Sequence, residues 1–341
     1  MRRLVDERVS MKHGAGGRAM RRLIENVFAT GFPEPDGIGL AAMDDGAALR
    51  IGDQWLILTT DSHVIHPIFF RGGDIGRLAV CGTVNDLAMM GATRPLGLTL
   101  AVIVEEGFAS ADLERIQASV RQACAEAGTT VVTGDTKVMG KGEIDGVVLN
   151  TAGVGLTSRV VPDRGLEEGD LIIVTGTIGD HGLAIMAERN QLAFDEPLLS
   201  DVAPINGLVR RALDAAGEGV VAMKDPTRGG LASALHEMAG KSRVAVLLDE
   251  TAVPIAKATR ALGEILGIDP LHVANEGKAV IGVRADSVGL VLDALRGHPL
   301  GRNAAVIGRC IGDAPGRVIL DTGFGRRILA EPEGELLPRI C

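Results

Sequence analysis

Short apolar runs alternate with polar and glycine-rich segments along the whole chain. Apolar runs of this length, bounded by turn residues, are typical of buried strands, whereas apolar positions three or four residues apart are typical of helices. The strands predicted in this way are Trp55–Thr60, Leu98–Val104, Thr130–Val132, Val147–Ala152 and Leu171–Val174. The helices predicted are Arg18–Ala29, Asp74–Met90 and Asp112–Ala127.

Charge and turn residues replace the apolar runs between Thr157 and Gly169, which predicts a domain boundary there. Because 341 residues exceed the size of one ordinary core, we expect two similar-sized domains of α/β or mixed α+β type. The predicted units are a glycine-rich loop and helix over 1–37, a first domain over 38–160, a second domain over 161–330 and a tail over 331–341.

The composition argues against two classes of partner. None of the apolar runs approaches the roughly 20 residues that a membrane span needs, and the start of the chain does not resemble a secretory signal. The net charge of -9, with seven Phe, one Trp and no Tyr, argues against nucleic acid, whose phosphates bind Lys and Arg. We therefore expect a cytoplasmic protein that binds neither membrane nor nucleic acid.

The four cysteines form no CxxC pair and no metal-ligand spacing. Cys81, Cys124 and Cys310 stand among small or apolar residues and are predicted to be core residues. Cys341 differs because it ends the chain, after a segment with two prolines and no periodicity. We expect that segment to be a mobile arm that reaches up to about 35 Å, at ~3.3 Å per residue. The alternative is an incidental thiol at a frayed end.

Several acidic residues stand where an apolar strand meets a turn or small residues. They are Asp44 and Asp45 in MDDGAA, Asp61 in LTTDSH and Asp135 in VVTGDTK, and a further acid, Asp86, lies beside Asn85 in a predicted helix. Carboxylates at strand ends converge at the edge of a sheet, where several together hold Mg²⁺, an ion that usually bridges to substrate phosphates. The set predicts a metal and phosphate site, although each acid taken singly is more often a turn or cap residue.

Two glycine-containing motifs are candidate phosphate sites. The loop HGAGG, with His13, Gly14 and Gly16, precedes a predicted helix and could present backbone N–H groups to phosphates. A flexible surface loop explains it equally well, since it is not a nucleotide-binding fingerprint. In DPTRGG, Asp225 and Arg228 precede another helix and could contact phosphate from the second domain, the alternative being a helix cap.

Taken together, the motifs resemble a known family. They are HGAGG, DSHVIHP, GGDIGRLAVCGTVNDLAMMGA, VVTGDTKV, NTAGVG, GTIGDHG, DPTRGG, ANEGKAV, HPLG and the terminal PRIC. In this order, from about residue 10 to the last residue, they resemble the HypE family of hydrogenase maturation proteins within the PurM (aminoimidazole-ribonucleotide synthetase) superfamily. The resemblance implies a two-domain PurM-like fold, with a first domain that binds ATP and dimerises and a flexible tail.

The resemblance also implies an activity. It is the ATP-dependent dehydration of a carbamoyl group on the terminal cysteine to a thiocyanate, the source of iron-bound cyanide in nickel–iron hydrogenases. The implied cofactors are ATP and Mg²⁺. The implied partners are the carbamoyltransferase HypF as carbamoyl donor, the HypC–HypD complex as cyanide acceptor, and a second copy of the chain in a homodimer.

Residue by residue, the resemblance implies three sets of site residues. The catalytic set is Cys341, Lys137 in TGDTK and Glu276 in ANEGK. Which of Lys137 and Glu276 takes the proton is open, and His13, His181 and His236 are reserve candidates. The ATP- and phosphate-binding set is His13, Gly14, Gly16, Asn85, Thr133, Asp225 and Arg228. The metal-binding set is Asp45, Asp61, Asp86 and Asp135.

Two other functions compete with this one. Another superfamily enzyme, such as a selenophosphate synthetase or a thiamine-monophosphate kinase, would use ATP on a small molecule. The first has a reactive cysteine near its N-terminus, whereas the first cysteine here is Cys81, and the second does not explain the terminal PRIC. A non-enzymatic scaffold, in which the nucleotide only switches a cysteine-tailed carrier, is the third possibility.

Overall fold

Each half of the chain builds its own sheet with helices packed against it. The computed structural model describes residues 6, 8–192, 194, 198–332 and 340. In chain order, its first half contains a 3-10 turn (Met11–Gly14), α1 (Arg18–Leu23) with a π-helical extension (Ile24–Phe28), β1 (Gly37–Ile38), a 3-10 turn (Leu40–Ala42), β2 (Ala47–Ile51), β3 (Gln54–His63), β4 (Phe69–Phe70), β5 (Gly73–Asp74), α2 (Ile75–Met89), β6 (Pro95–Glu105), α3 (Ser110–Ala127), β7 (Val131–Met139) and β8 (Val147–Thr157).

The first sheet has β7 at one edge and β8 in its interior. Among the described residues its strand order is β1-β2-β3-β8-β6-β7, and only β6 and β7 run parallel. The helix α2 packs on one face, where a Cβ on Gly153 would meet Thr83 and Leu87 at 2.6 and 2.9 Å. Because side chains alternate along a strand, Ala152 and Val154 face the other side, where both are only half-buried.

The second half follows the same alternation. It contains β9 (Leu171–Val174), α4 (Asp180–Arg189), α5 (Asn206–Ala216), β10 (Val220–Lys224), α6 (Gly230–Ser242), β11 (Ala245–Asp249), α7 (Lys257–Leu266), β12 (Val280–Val283), α8 (Val288–Arg296), β13 (Ala305–Ile311), β14 (Val318–Asp321) and β15 (Arg326–Ile328), with 3-10 turns at Gly217–Gly219, Glu250–Ala252, Pro270–His272 and Pro299–Gly301. Among the described residues the strand order is β10-β12-β9-β13-β11-β14-β15, and only β11 and β14 run parallel.

The two halves are joined through the buried side chain of Asn85 on α2. Its Nδ2 donates to the carbonyls of Ala203 and Glu276, each at 3.1 Å, and its Oδ1 accepts from the N–H of Ile205 at 2.9 Å. A buried amide with every contact satisfied in this way holds both partners in place. Asn85 therefore fixes the loop that carries Glu276 against the first domain.

The structure confirms the predicted fold class, and several predicted elements lie within a residue or two of the observed ones. The strand β9 has the predicted bounds, and α2 lacks only the predicted end residues, because Asp74 caps it by accepting N–H groups from Gly76 and Arg77 at 2.8 and 3.0 Å. The predicted strand at Thr130–Val132 was too short. It continues as β7 to Met139, so the TGDTK motif lies inside a strand rather than at its end.

Cys81, Cys124 and Cys310 are buried free thiols, as predicted. Within the described ranges, no helix combines the length and the apolar character that crossing a bilayer requires.

The predicted mobile arm is described only at Glu331, Pro332 and Ile340, and Cys341 lies outside the described residues. Glu331 pairs with Arg21 of α1, and the N–H of Arg18 donates to the Pro332 carbonyl at 3.3 Å. Ile340 is buried against the body of the protein. The described residues of the arm are therefore docked rather than free.

Candidate active site

A cavity of about 610 Å³ opens between the two halves of the chain, within the size range of small-molecule sites. From the first half it is lined by α1, the loop before β2, β3 and α2. From the second half it is lined by the turn between β10 and α6, by α6 itself and by Glu276. The site thus brings together segments that are far apart in the sequence.

Carboxyl side chains from both halves face this cavity: Asp44, Asp45, Asp61, Asp86, Asp225, Glu237 and Glu276. Burial raises the pKa of Asp86 well above its usual range, and the neighbouring carboxylates of Asp225 and Asp61 raise it further. Burial and the charge of Asp45 likewise raise the pKa of Asp225. Carboxylates that raise one another's pKa in this way would be stabilised by a bound cation.

One cation from the chain itself already lies among them. Lys224, at the end of β10, places Nζ 2.6 Å from Asp45 Oδ1, 3.2 Å from Glu237 Oε2 and 3.5 Å from Asp163 Oδ2. Burial opposes its charge, but Asp45, Glu237 and Asp163 outweigh burial and hold the pKa of Lys224 well above its usual range. Lys224 belongs to none of the candidate site residues predicted from the sequence; the available signal was a lysine at the end of an apolar strand, directly before Asp225.

The two glycine-containing motifs meet at the cavity. Gly16 has φ +77°, and a Cβ there would lie 2.3 Å from the Cβ of Arg228, so only glycine allows this contact. The Arg228 guanidinium donates to the Gly14 carbonyl at 3.4 Å. Gly230, with φ +62°, opens α6 and also faces the cavity. A helix N-terminus and a second glycine turn therefore converge where phosphates would find backbone donors.

Glu276 is the most enclosed acid of the cavity wall. It is 4% exposed, and among the described atoms its Oε1 has no hydrogen-bond partner. Burial raises the pKa of Glu276 well above its usual range, and Asp225 and Asp61 raise it further. A carboxyl group that lines a cavity and has a raised pKa is suited to exchange a proton with a bound substrate.

The donor set fits Mg²⁺ held together with phosphates. In the described part of the chain, no three acidic, thiol or imidazole side chains are grouped closely enough to hold a metal ion by themselves. Mg²⁺, however, keeps several waters and usually needs only one or two carboxylates plus substrate phosphates. The predicted ligands Asp45, Asp61 and Asp86 line the same cavity, and Asp45 Oδ2 is buried without a partner among the described atoms.

Three predicted site residues lie elsewhere within one chain. Thr133, Asp135 and Lys137 share a face of the exposed edge strand β7, where Lys137 Nζ lies 2.9 Å from Asp135 Oδ2. Three strand spacings, roughly 14 Å at ~4.8 Å each, separate β7 from β3, which carries Asp61. Within one chain, Asp135 therefore does not share a metal site with Asp61. The prediction placed Asp135 at a strand end, and the length of β7 corrects this.

Two further predicted contacts have other roles here. Asn85 joins the two halves and does not line the cavity. His13 is 7% exposed, its Nδ1 accepts from the Ser10 N–H at 3.0 Å, and it does not line the cavity either. Of the reserve histidines, His236 contacts the Leu329 carbonyl at 2.7 Å, which gives it a structural partner.

Comparisons with known proteins agree with this architecture. Residues 43–157 match the family model for the N-terminal domain of AIR synthase related proteins, and residues 167–321 match the model for the C-terminal domain. A carbamoyl dehydratase HypE from Bradyrhizobium diazoefficiens is 47% identical over 341 residues, covering 98% of this chain and 96% of its own length.

Two solved structures are similar over most of the chain. A chain from a HypE–HypF complex is 43% identical, with a TM-score of 0.84, and the match covers 91% of this chain and 99% of that one. The hydrogenase maturation protein HypE in complex with ATP is 40% identical, with a TM-score of 0.81, and the match covers 97% of this chain and 100% of that one.

Proposed function

The chain belongs to the HypE family of carbamoyl dehydratases, and we propose that it uses ATP to dehydrate a carbamoyl group carried as a thiocarbamate on Cys341. The product is a thiocyanate, which supplies the cyanide ligand of a nickel–iron hydrogenase. The observation that carries this proposal is the cavity between the two halves, where a buried, unpaired Glu276 faces carboxylates and glycine turns.

The chemistry explains why ATP is needed. A thiocarbamate, S–C(=O)–NH₂, cannot lose its oxygen as oxide or hydroxide at a useful rate. Transfer of the γ-phosphoryl group of ATP to that oxygen forms an O–P bond and leaves ADP. One N–H proton leaves as the C=N bond of the phosphorylated imidate forms. The second N–H proton is removed as the C–O bond breaks and phosphate departs, which leaves S–C≡N. Positioning and charge stabilisation provide most of the catalysis of such phosphoryl transfers.

Each part of the cavity wall has a proposed task. Asp45, Asp61 and Asp86 would hold Mg²⁺, which neutralises the charge of the triphosphate when bound. The backbone of Gly16 and the start of α6, with Arg228, would bind phosphate oxygens. Glu276 would accept the N–H proton, because its raised pKa brings it closer to the working pH than an exposed glutamate.

A homodimer would explain how the residues of β7 could act at the cavity. On the face of the first sheet that points away from α2, Leu58 is 44% exposed and Val148, Ala152 and Val154 are half-buried. An apolar sheet face of this kind is an expected interface for a second copy. We propose that dimerisation through it brings Thr133, Asp135 and Lys137 of one copy to the cavity of the other.

The substitution Val148→Glu should separate the proposed dimer, because it would bury a charge within this sheet face. Sedimentation velocity should show the wild-type chain as a dimer and the variant as a monomer with unchanged far-ultraviolet circular dichroism. Leu290→Glu is the matched control, since Leu290 is 59% exposed on α8 of the second domain. A monomeric wild-type chain, or a dimer that Val148→Glu leaves intact, would contradict the proposal.

The partners follow from the same reaction. HypF is the proposed carbamoyl donor, because a HypE–HypF complex contains a relative of this chain. A HypC–HypD complex is the proposed acceptor of the cyanide group. Reduced, buried thiols at Cys81, Cys124 and Cys310 agree with the proposed cytoplasmic location.

The deciding experiment is intact-protein mass spectrometry in two steps. Incubation with HypF, carbamoyl phosphate and ATP should add one carbamoyl group to the C-terminal peptide of the wild-type chain, and Mg²⁺ with ATP should then remove one water. Cys341→Ser should bind ATP normally and gain no carbamoyl group. If the loaded chain binds ATP but never loses water, the nucleotide-switched carrier becomes the better explanation.

A further inference from the structure

His181, at the start of α4, contacts the end of the chain. Its imidazole is fully buried, with Nε2 2.5 Å from the Ile340 carbonyl oxygen and Nδ1 2.8 Å from Ser200 Oγ. Because a carbonyl oxygen only accepts hydrogen bonds, Nε2 carries the proton and Nδ1 accepts from the Ser200 hydroxyl. Burial lowers the pKa of His181, which keeps this neutral tautomer in place.

The side chain of Ile340 fills an apolar seat beside this contact. Ile340 is 6% exposed and forms an antiparallel bridge with Ile65, just after β3. Phe70 belongs to the same buried cluster and packs edge-on against the His181 ring, with centroids 5.7 Å apart. The tail seat, formed by Ile65, Phe70, His181 and Ser200, therefore holds residue 340 by an apolar side chain and by its carbonyl.

The tail seat shares its supports with the wall of the cavity. Ser200 precedes Asp201, whose Oδ1 accepts from the Glu276 N–H at 3.0 Å. The N–H of Gly182, next to His181, donates to the Ala274 carbonyl at 3.1 Å. Both bonds attach the seat to the loop that carries Glu276.

The other side of the seat leads to a second carboxylate of the cavity. Ile65 lies four residues after Asp61, a separation of roughly 13 Å at ~3.3 Å per residue. Residue 341 follows Ile340 by one peptide unit, about 3.8 Å between Cα atoms. An occupied seat thus holds Ile340 against the segment that leads on from Asp61 in the cavity wall.

We propose that His181 is a positioning residue that holds the Ile340 carbonyl and so presents the terminal cysteine to the cavity during dehydration. This inference rests on the proposed function of Cys341. A bond to a backbone carbonyl fixes the depth of the tail whatever its side chains are, while the Ile340 side chain supplies the apolar contact. One such bond is weak enough to break at each cycle, as a tail that must also visit other proteins requires.

Two substitutions of His181 separate this role from a structural one. The amide nitrogen of asparagine reaches the place of Nδ1, whereas that of glutamine reaches the place of Nε2. His181→Asn should therefore keep a partner for Ser200 and lose the tail, and His181→Gln should keep the donor to the Ile340 carbonyl. The two variants therefore differ in whether the hydrogen bond to the Ile340 carbonyl is kept.

The first readout needs no catalysis. Cys81, Cys124 and Cys310 are buried, so a polyethylene-glycol maleimide too large for the cavity should report the exposure of Cys341, with Cys341→Ser as the background. His181→Asn should raise the labelling rate about tenfold, the equivalent of one lost hydrogen bond. His181→Gln should stay near the wild-type rate. Ile340→Ala should also raise the labelling rate. The double variant should be labelled more slowly than the product of the two single-variant increases predicts.

The second readout is the reaction. His181→Asn should accept the carbamoyl group from HypF at the wild-type rate and lose water about tenfold more slowly, with an unchanged KM for ATP. Unchanged labelling in His181→Asn, or equal increases in both His181 variants together with equal losses of thermal stability, would overturn the proposal. Failure of wild-type loading would instead reject the proposed function, since the labelling experiment tests the tail seat independently.

Discussion

Replacing Glu276 by glutamine is expected to leave carbamoyl loading of the tail intact and to slow the loss of water by a factor of about 10² to 10⁴. Glutamine has nearly the same shape but cannot accept the proton that leaves the nitrogen. Single-turnover kinetics on the carbamoylated chain, followed by intact mass, measure this step without product release. Glu218→Gln is the matched control, because it makes the same chemical change at a side chain that is 91% exposed.

The pH dependence should identify Glu276 as the group involved. Burial raises its pKa, so in the wild-type chain the basic form becomes more populated as the pH rises and the dehydration rate should rise with it. In Glu276→Gln, the dehydration rate should no longer rise with pH in this way. A wild-type rate in Glu276→Gln, or an unchanged profile, would exclude Glu276 as the base and leave Lys137 as the candidate.

The same substitution should stabilise the fold at neutral pH. Because the pKa of Glu276 is raised on folding, the folded state still holds a proton at pH values where the unfolded state has released it. Glu276 therefore lowers the free energy of unfolding as the pH rises above the pKa that Glu276 has in the unfolded chain. Glu276→Gln should therefore be more stable than wild type at pH 8 and nearly equal at pH 5, as measured by urea unfolding. A slower but more stable variant is the expected result for a catalytic base whose burial lowers the stability of the fold.

The sequence predicts helices and strands well where the residues that determine them are close together in the chain. The helix α2 has a capping aspartate at its start and a glycine beyond its end, and β9 is an apolar run between turns, so their patterns suffice. β7 was predicted too short, because TGDTKV has the small and polar residues of a turn. It remains extended because it pairs with β6, a partner that lies outside any local window.

The composition of the site depends even more on distant partners. Asp45 was noticed beside its strand, but its ion pair with Lys224 spans 179 residues, and no spacing rule links such positions. Asn85 stands next to Asp86 in sequence, yet their side chains point to different places, one to the domain junction and the other to the cavity. The motifs indicated which chemistry to expect, and the packing of the two halves decided which residues share a cavity.

Lys224→Met is expected to reduce the free energy of unfolding by about 3–5 kcal/mol, the usual effect of removing one partner from a buried ion pair. Methionine is of similar length but leaves Asp45 without its cation, and Asp45 and Asp163 already have an oxygen without a partner among the described atoms. Urea unfolding at pH 8 measures the loss. Lys141→Met, at an exposed loop position, should change the stability by no more than about 0.5 kcal/mol.

The cause of this loss can be separated from lost packing. If uncompensated charge is responsible, the pKa values of the orphaned carboxyl groups rise in the folded variant, so their contribution to stability is present at low pH and lost as the pH rises. The deficit of Lys224→Met should then be smaller at pH 5 than at pH 8, and adding Asp45→Asn should recover part of it. Mg²⁺ with ATP should stabilise Lys224→Met more than wild type, because a cation beside Asp45 then replaces the missing ammonium group. A deficit that is equal at both pH values, and that Asp45→Asn does not relieve, would instead assign the loss to packing and leave Lys224 with no electrostatic part in the site.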